Sequence, residues 1–338
     1  MKLRNRLVLL GFGLGAVAAA RLLARNRREF DFYGKTVLIT GGSRGLGLVL
    51  ARQLAAHGAR LALIARNGAE LERAELDLKP YGREVLTVVC DVTDQDAVGN
   101  MVRKVRDHFG SIDVLINNAG VIEVGPMENM TIDDYEEAMK SHFWAPLYVS
   151  NAVLPEMRER RSGRIVNISS IGGKISIPHM LPYSASKHAL VGLSEGMRNE
   201  LIKDGIYVTT VCPGLMRTGS HVNAQFKGQN RAEFTLFSIG NSLPFSSIDA
   251  QTSASQIIEA CRYGDAELVI SLPAQIATTV HGLFPGIVSD IFGLYNRCLP
   301  GPGGIGEAKV SGRESQSMLS PSILTSLSDK AIPQNNEG

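Results

Sequence analysis

Val37-Leu38-Ile39-Thr40-Gly41-Gly42-Ser43-Arg44-Gly45-Leu46-Gly47 decides how this chain folds. A short apolar run, Thr36–Thr40, reads as a strand buried on both faces. It passes without a break into a turn carrying four glycines. A helix then reads over Leu46–His57 and stops near Gly58. Glycine permits the tight turn and lets backbone approach a pyrophosphate. The helix N-terminus behind it offers amides and a dipole that favour anions. A plain strand-to-helix turn rarely needs so many glycines.

The same alternation continues downstream. Strands read at Leu61–Ala65, Glu84–Cys90, Ile112–Asn117, Arg164–Ser169, Tyr207–Cys212 and Glu267–Ser271. Helices read at Ala69–Lys79, Asp94–Phe109, Asp133–Met157 and Pro182–Lys203. Strands alternating with helices predict an α/β fold, a doubly wound parallel sheet of about seven strands with helices on both faces. Right-handed crossovers bring the strand C-termini to one edge, where ligands bind. The domain runs over 34–272. Residues 214–245 have little periodicity and are expected to work as a lid or substrate loop. Residues 273–300 are apolar with Pro and Gly, and read as helices over the substrate cleft or as a membrane contact. Residues 301–338 are rich in Gly, Ser, Pro and Asn, and a disordered tail is expected.

Upstream, a second glycine pattern, Gly11-Phe-Gly13-Leu-Gly15-Ala16, is a decoy. A dinucleotide half needs a strand, a helix and another strand, about 30 residues in all. The next strand begins near Lys35 with its own glycine turn, so the first unit has no room to close. Residues 1–28 instead read as a hydrophobic membrane anchor. Basic residues flank an uncharged run, Leu7–Ala20, of 14 residues. A bilayer span takes about 20. Ala18-Ala19-Ala20 also fits a cleaved signal peptide. Membrane association with the catalytic domain on the cytoplasmic side is the expectation.

The whole chain has 338 residues, 44% hydrophobic and 20% charged, enough to bury a full core. A net charge of +2 gives no footprint for nucleic acid. Cys90, Cys212, Cys261 and Cys298 are far apart and form no CxxC pair, so they read as buried reduced thiols. No metal site is expected.

The second strand ends at Ala65-Arg66, where an acidic residue would accept the ribose 2′-hydroxyl of NAD. Arg66 and Arg44 are suited to clamp a 2′-phosphate, which favours NADP(H) over NAD(H). Asp91-Val92 follows the third strand, on the adenine side. Tyr183 and Lys187, four apart, share one helix face. An ammonium near a phenol favours the phenolate and tunes it toward acid/base work.

These motifs together resemble the short-chain dehydrogenase/reductase family, of its membrane-anchored type. The resemblance rests on Thr40-Gly41-x-x-x-Gly45-x-Gly47, on Asn117-Asn118-Ala119-Gly120 and on Ser170, thirteen residues before Tyr183. Tyr183-x-x-x-Lys187 and Pro213-Gly214 with Thr218 complete it. It covers roughly residues 34–272 and implies a Rossmann-type domain with strand order 3-2-1-4-5-6-7. It implies that Tyr183 exchanges the proton, that Lys187 holds the ribose and that Ser170 orients the carbonyl. Gly41, Ser43, Arg44, Gly45, Leu46, Gly47, Asn118, Ala119 and Gly120 would hold the dinucleotide, with Pro213, Gly214 and Thr218 at the nicotinamide. His142 stands where the family usually has an Asn that supports a proton-relay water. The resemblance further implies a homodimer or tetramer.

The expected activity is NADP(H)-dependent interconversion of a carbonyl and an alcohol on a hydrophobic small molecule. Lipid-like, retinoid, steroid and ketosphinganine-like substrates all suit an anchored enzyme. A non-catalytic nucleotide-binding scaffold and a soluble acyl-carrier ketoreductase are the rival readings.

Overall fold

A computed structural model describes residues 25–338. The expected anchor, apart from its last four residues, lies outside the described residues. Seven strands make one parallel sheet: β1 (Thr36–Thr40), β2 (Arg60–Ala65), β3 (Val85–Val89), β4 (Val114–Asn117), β5 (Gly163–Ile168), β6 (Ile206–Pro213) and β7 (Glu267–Ile270). Their order is β3-β2-β1-β4-β5-β6-β7, and every pair is parallel. The doubly wound fold is as expected.

Helices cover both faces, which is why the inner strands carry no polar alternation. Val37 and Ile39 of β1 pack with α1 (Gly45–Ala56) and α8 (Ala250–Tyr263) on one side. Leu38 packs with α3 (Gln95–Phe109) and α5 (Ala145–Glu159) on the other. All five β1 residues are buried, so truncating Leu38 or Ile39 to Ala would cost about 2–5 kcal/mol. The helices have local start and stop signals. Asn67 caps α2 (Gly68–Leu78) and Asp94 caps α3, each through a side chain accepting two backbone amides. Gly110 ends α3 at φ +83.

The helix expected over Asp133–Met157 is present but interrupted. It forms as α4 (Ile132–Met139), one π-turn over Lys140–Trp144, and α5. Pro146 in the first turn of α5 has no amide to give the preceding turn, which suits the break there. The π-turn carries His142.

One expectation needs correction, and one stretch read as aperiodic has regular structure of its own. Residues 214–245 hold the short strands Leu215–Arg217 and Gln225–Phe226 and the helix α7 (Asn230–Ser242). Residues 301–338 are not disordered. Val310–Ser311 pairs antiparallel with Gln225–Phe226, and α11 (Ser326–Gln334) packs against α7. The composition hid this because the segment is seated by polar groups. It buries Ser315, Thr325, Ser328, Asn335 and Glu337 while Met318 and Ile323 stay exposed.

Between them, α9 (Leu272–Leu283) and α10 (Pro285–Asn296) form a hairpin. Leu272, Ile276, Leu283, Phe284, Ile291 and Leu294 are exposed along it. Among the described residues no helix is long and apolar enough to cross a membrane. Three cysteines are buried and free, whereas Cys298, expected to be buried too, is exposed at the foot of α10.

Candidate active site

The turn after β1 and the turn after β4 meet at the point where the strand order reverses. Thr40 Oγ1 accepts the amides of Asn118 at 3.0 Å and Ala119 at 3.1 Å. Asn118 Nδ2 donates back to the carbonyls of Thr40, at 3.2 Å, and Gly41, at 3.0 Å. A Cβ on Gly47 would run into the Gly41 carbonyl, so α1 packs this close only with glycine there. Gly41 and Gly45 both take positive φ.

A cleft of about 760 Å³ opens above these turns, a size that suits a dinucleotide. Gly41, Ser43, Arg44, Gly45, Leu46, Arg66, Asp91, Val92, Asn118, Ala119, Gly120, His142, Tyr183, Lys187 and Thr218 line it, all expected from sequence. Gly47, Ser170, Pro213 and Gly214 do not. Gly47 lies beneath the turn. Pro213 ends β6, and the Gly214 amide donates to the Ile270 carbonyl at 3.1 Å.

Ser170 follows β5 and turns the chain, its Oγ accepting the Gly172 amide at 3.0 Å. A Cβ on Gly172 would press on the Tyr183 ring at 3.1 Å, so the bend delivers Ser170 beside the phenol. Tyr183 lies in the first turn of α6 (Leu181–Leu201). Burial holds its phenol above the ordinary value, although the Ser170 hydroxyl draws it down. One turn on, Lys187 Nζ lies 5.6 Å from the centre of the Tyr183 ring and donates to the Ile168 carbonyl at 2.9 Å. Burial pulls Lys187 down to about 7. Burial and the Ser170 hydroxyl, rather than the expected Lys187 charge, set the Tyr183 pKa here. Desolvation governs both groups, and the ammonium is spent on a carbonyl.

His142 is 1% exposed and meets the Tyr183 ring edge to face, centroids 5.3 Å apart. Nε2 accepts the Val121 amide at 3.1 Å, and Nδ1 lies 2.8 Å from Ser186 Oγ. Ser186 in turn donates to the Tyr183 carbonyl at 2.9 Å. The Val121 amide must find a lone pair, which assigns the proton to Nδ1. Burial and the Lys187 charge keep the ring pKa well below its ordinary value. Both nitrogens are thus occupied, and the imidazole is neutral.

Sequence reasoning missed the opposite wall. Lys309, Ser311 and Glu337 line the same cleft. Lys309 Nζ reaches Glu123, Asp134 and Glu137 within 3.1 Å. Glu337, 3% exposed, pairs with Arg44 at 3.2 Å. No motif or periodicity marks these residues.

A cleft at the reversal of strand order, floored by a glycine turn at a helix N-terminus, defines a Rossmann-type dinucleotide domain. Residues 35–227 match the short chain dehydrogenase family, and the chain belongs to it. A dehydrogenase/reductase SDR family protein 7-like from Anopheles gambiae is 35% identical over 253 residues, 73% of this chain and 77% of its own length. Dehydrogenase/reductase SDR family member 7B of Danio rerio is 37% identical over 229 residues, 64% of this chain and 74% of its own. Among solved structures, NAD+-bound xylitol dehydrogenase superposes with a TM-score of 0.62 at 30% identity, over 71% of this chain and 99% of its own. L-sorbose reductase of Gluconobacter frateurii, complexed with NADPH and L-sorbose, gives 0.64 at 26%, over 72% and 97%.

Proposed function

We propose that this protein is an NADP(H)-dependent oxidoreductase interconverting a carbonyl and an alcohol on a hydrophobic substrate. The observation that carries the reading is Tyr183 over Lys187 on one face of α6, both lining the cleft, with Ser170 beside the phenol. The residues present suit a dinucleotide. The glycine turn leaves room for phosphate at the α1 N-terminus, and a carboxylate, that of Glu337, already sits there against Arg44. A bound nicotinamide would supply or accept the hydride.

The chain's own residues do the rest. Ser170 holds the substrate oxygen by donating a hydrogen bond. Tyr183, kept protonated by burial, gives its proton to that oxygen in reduction and takes it back in oxidation. Lys187, which donates to the Ile168 carbonyl, would hold ribose hydroxyls of a bound dinucleotide and place its charge near the phenol. His142 fixes the Gly120–Val121 turn and the first turn of α6, and is a positioning residue. Arg66, exposed at the end of β2, and Arg44 favour the 2′-phosphate.

Two features support an apolar substrate taken from a membrane: the Leu7–Ala20 run and the exposed apolar side chains of α9 and α10. Association with the cytoplasmic leaflet and a homo-oligomer belong to the same proposal. The test is a panel of hydrophobic ketones and aldehydes with NADPH and NADH. Turnover with NADPH on long-chain or polycyclic ketones is expected. Turnover only on small polar sugars, or only with NADH, would overturn the substrate or the cofactor assignment respectively. Cell fractionation with and without residues 1–28 tests the anchor.

A further inference from the structure

The segment Asn335–Glu337 lies on the glycine turn. The Gly45 amide, the first of α1, donates to the Asn335 carbonyl at 2.8 Å. Asn336 Nδ2 donates to the Ser43 carbonyl at 2.8 Å and the Glu70 carbonyl at 3.1 Å. Asn335 Nδ2 donates to the carbonyl of Thr218 at 3.0 Å. The Glu337 carboxylate pairs with Arg44 and accepts from Asn223 Nδ2 at 2.5 Å, while Arg313 holds the Glu337 carbonyl. A Cβ on Gly45 would strike that same carboxylate. Each of these groups is one that a dinucleotide phosphate would need: a free first amide of α1, the space over Gly45 and an uncommitted Arg44.

We infer that residues 335–338 are a built-in competitor for the dinucleotide cleft, with Glu337 standing where an anionic phosphate oxygen would go. The inference rests on the cofactor reading above. The segment and the nucleotide exclude each other, so the strap must leave before a cofactor seats. Apparent affinity is then the intrinsic affinity reduced by the fraction of molecules with the strap out. The seating favours release. It consists of polar contacts made by Asn335, Asn336 and Glu337, with no apolar side chain among them, and α11, which precedes it, leaves Leu327 exposed. Displacement therefore opens no apolar core. Because Arg44 is among the groups released, NADPH should gain more than NADH.

The test measures Kd for NADPH and NADH by fluorescence titration, with no substrate needed. It compares the full chain, a deletion of residues 335–338, and Glu337→Lys, which sets a cation against Arg44 and Arg313. The deletion stops after α11 and leaves its packing on α7 intact. Both variants should bind NADPH at least about tenfold tighter, a shift of about 1.4 kcal/mol. A synthetic peptide of residues 326–338 should weaken binding to the deletion variant competitively. Hydrogen exchange of 335–338 in the full chain should rise when NADPH is added. Unchanged or weaker binding in both variants would overturn the inference and make the strap neutral or a wall of the site. Binding of neither nucleotide to any variant would instead sink the cofactor reading, and the inference with it.

Discussion

The two walls of the cleft are built by opposite means. The floor, from β1, β4, β5 and the turns after them, stands on side chains buried on both sheet faces. The strap wall, from Lys309 to Glu337, reaches its place by ion pairs and amide contacts between residues far apart in sequence. Removing a floor side chain opens a cavity in a close-packed core. Removing one strap contact forfeits about 0.5–1.5 kcal/mol for a neutral hydrogen bond and about 1.5–3 kcal/mol for a charged one, with no apolar cavity left behind. A floor of this kind holds chemistry in register; a wall of this kind can be exchanged for a ligand.

The sharpest way to break the comparison is at the floor. Tyr183→Phe removes one oxygen and leaves the ring against His142 and Gly172. Turnover should fall by about 10²–10⁴-fold, the usual share of a positioned acid/base. NADPH affinity should stay within a few-fold, checked by the same titration used for the strap. Full activity in Tyr183→Phe would remove the basis for calling the floor catalytic. Next in size is Arg44→Ala with Arg66→Ala. Each lost charge-assisted contact to a 2′-phosphate is worth about 1.5–3 kcal/mol, so NADPH should weaken by about 10- to 100-fold per arginine, with NADH changed far less. Equal weakening of both nucleotides would count against the 2′-phosphate assignment.

The same contrast explains what was legible in the sequence. Burial on both faces forces unbroken apolar runs such as Val37–Ile39, and glycine is forced where α1 closes on Gly41. Both constraints are local, so both appear as pattern. The Ser170, Tyr183 and Lys187 spacing is equally local, set by one bend and one helical turn. The strap has no such constraint. Asn335 and Asn336 act through side-chain amides that suit many surroundings, and a stretch that buries serines while exposing Met318 and Ile323 reads as solvated. The π-turn was hidden for a related reason. A one-residue widening between two good helix segments leaves the surrounding pattern nearly unchanged.

Lys187 supplies a smaller effect with a definite sign. Burial pulls its pKa from 10.5 down to about 7. Between those values the unfolded chain binds the proton and the folded one does not, so stability rises with pH. The slope from this one group is about 1.4 kcal/mol per pH unit across the window. Urea unfolding of the full chain and of Lys187→Met, at pH 7 and pH 9, should show the variant lacking that part of the rise. Parallel curves would mean that Lys187 stays charged and solvated, and that the floor is wetter than its packing implies.

His142 should have the least influence on turnover, and it tests whether the floor's proton path runs through the imidazole. Nε2 is taken by the Val121 amide and Nδ1 by Ser186, and the ring stays neutral through the working range. A neutral ring with both nitrogens engaged has no free site to accept a proton and hand it on. His142→Asn should therefore change turnover by only a few-fold and leave the pH dependence of kcat/KM in place. His142→Leu, which strands the partly buried Val121 amide, should lower stability by about 1 kcal/mol, again with the pH profile unmoved. If His142→Asn instead shifts a limb of that profile, the imidazole titrates in the reaction and carries protons. The floor would then contain one exchangeable element of its own, and the contrast with the strap would hold for packing but not for proton supply.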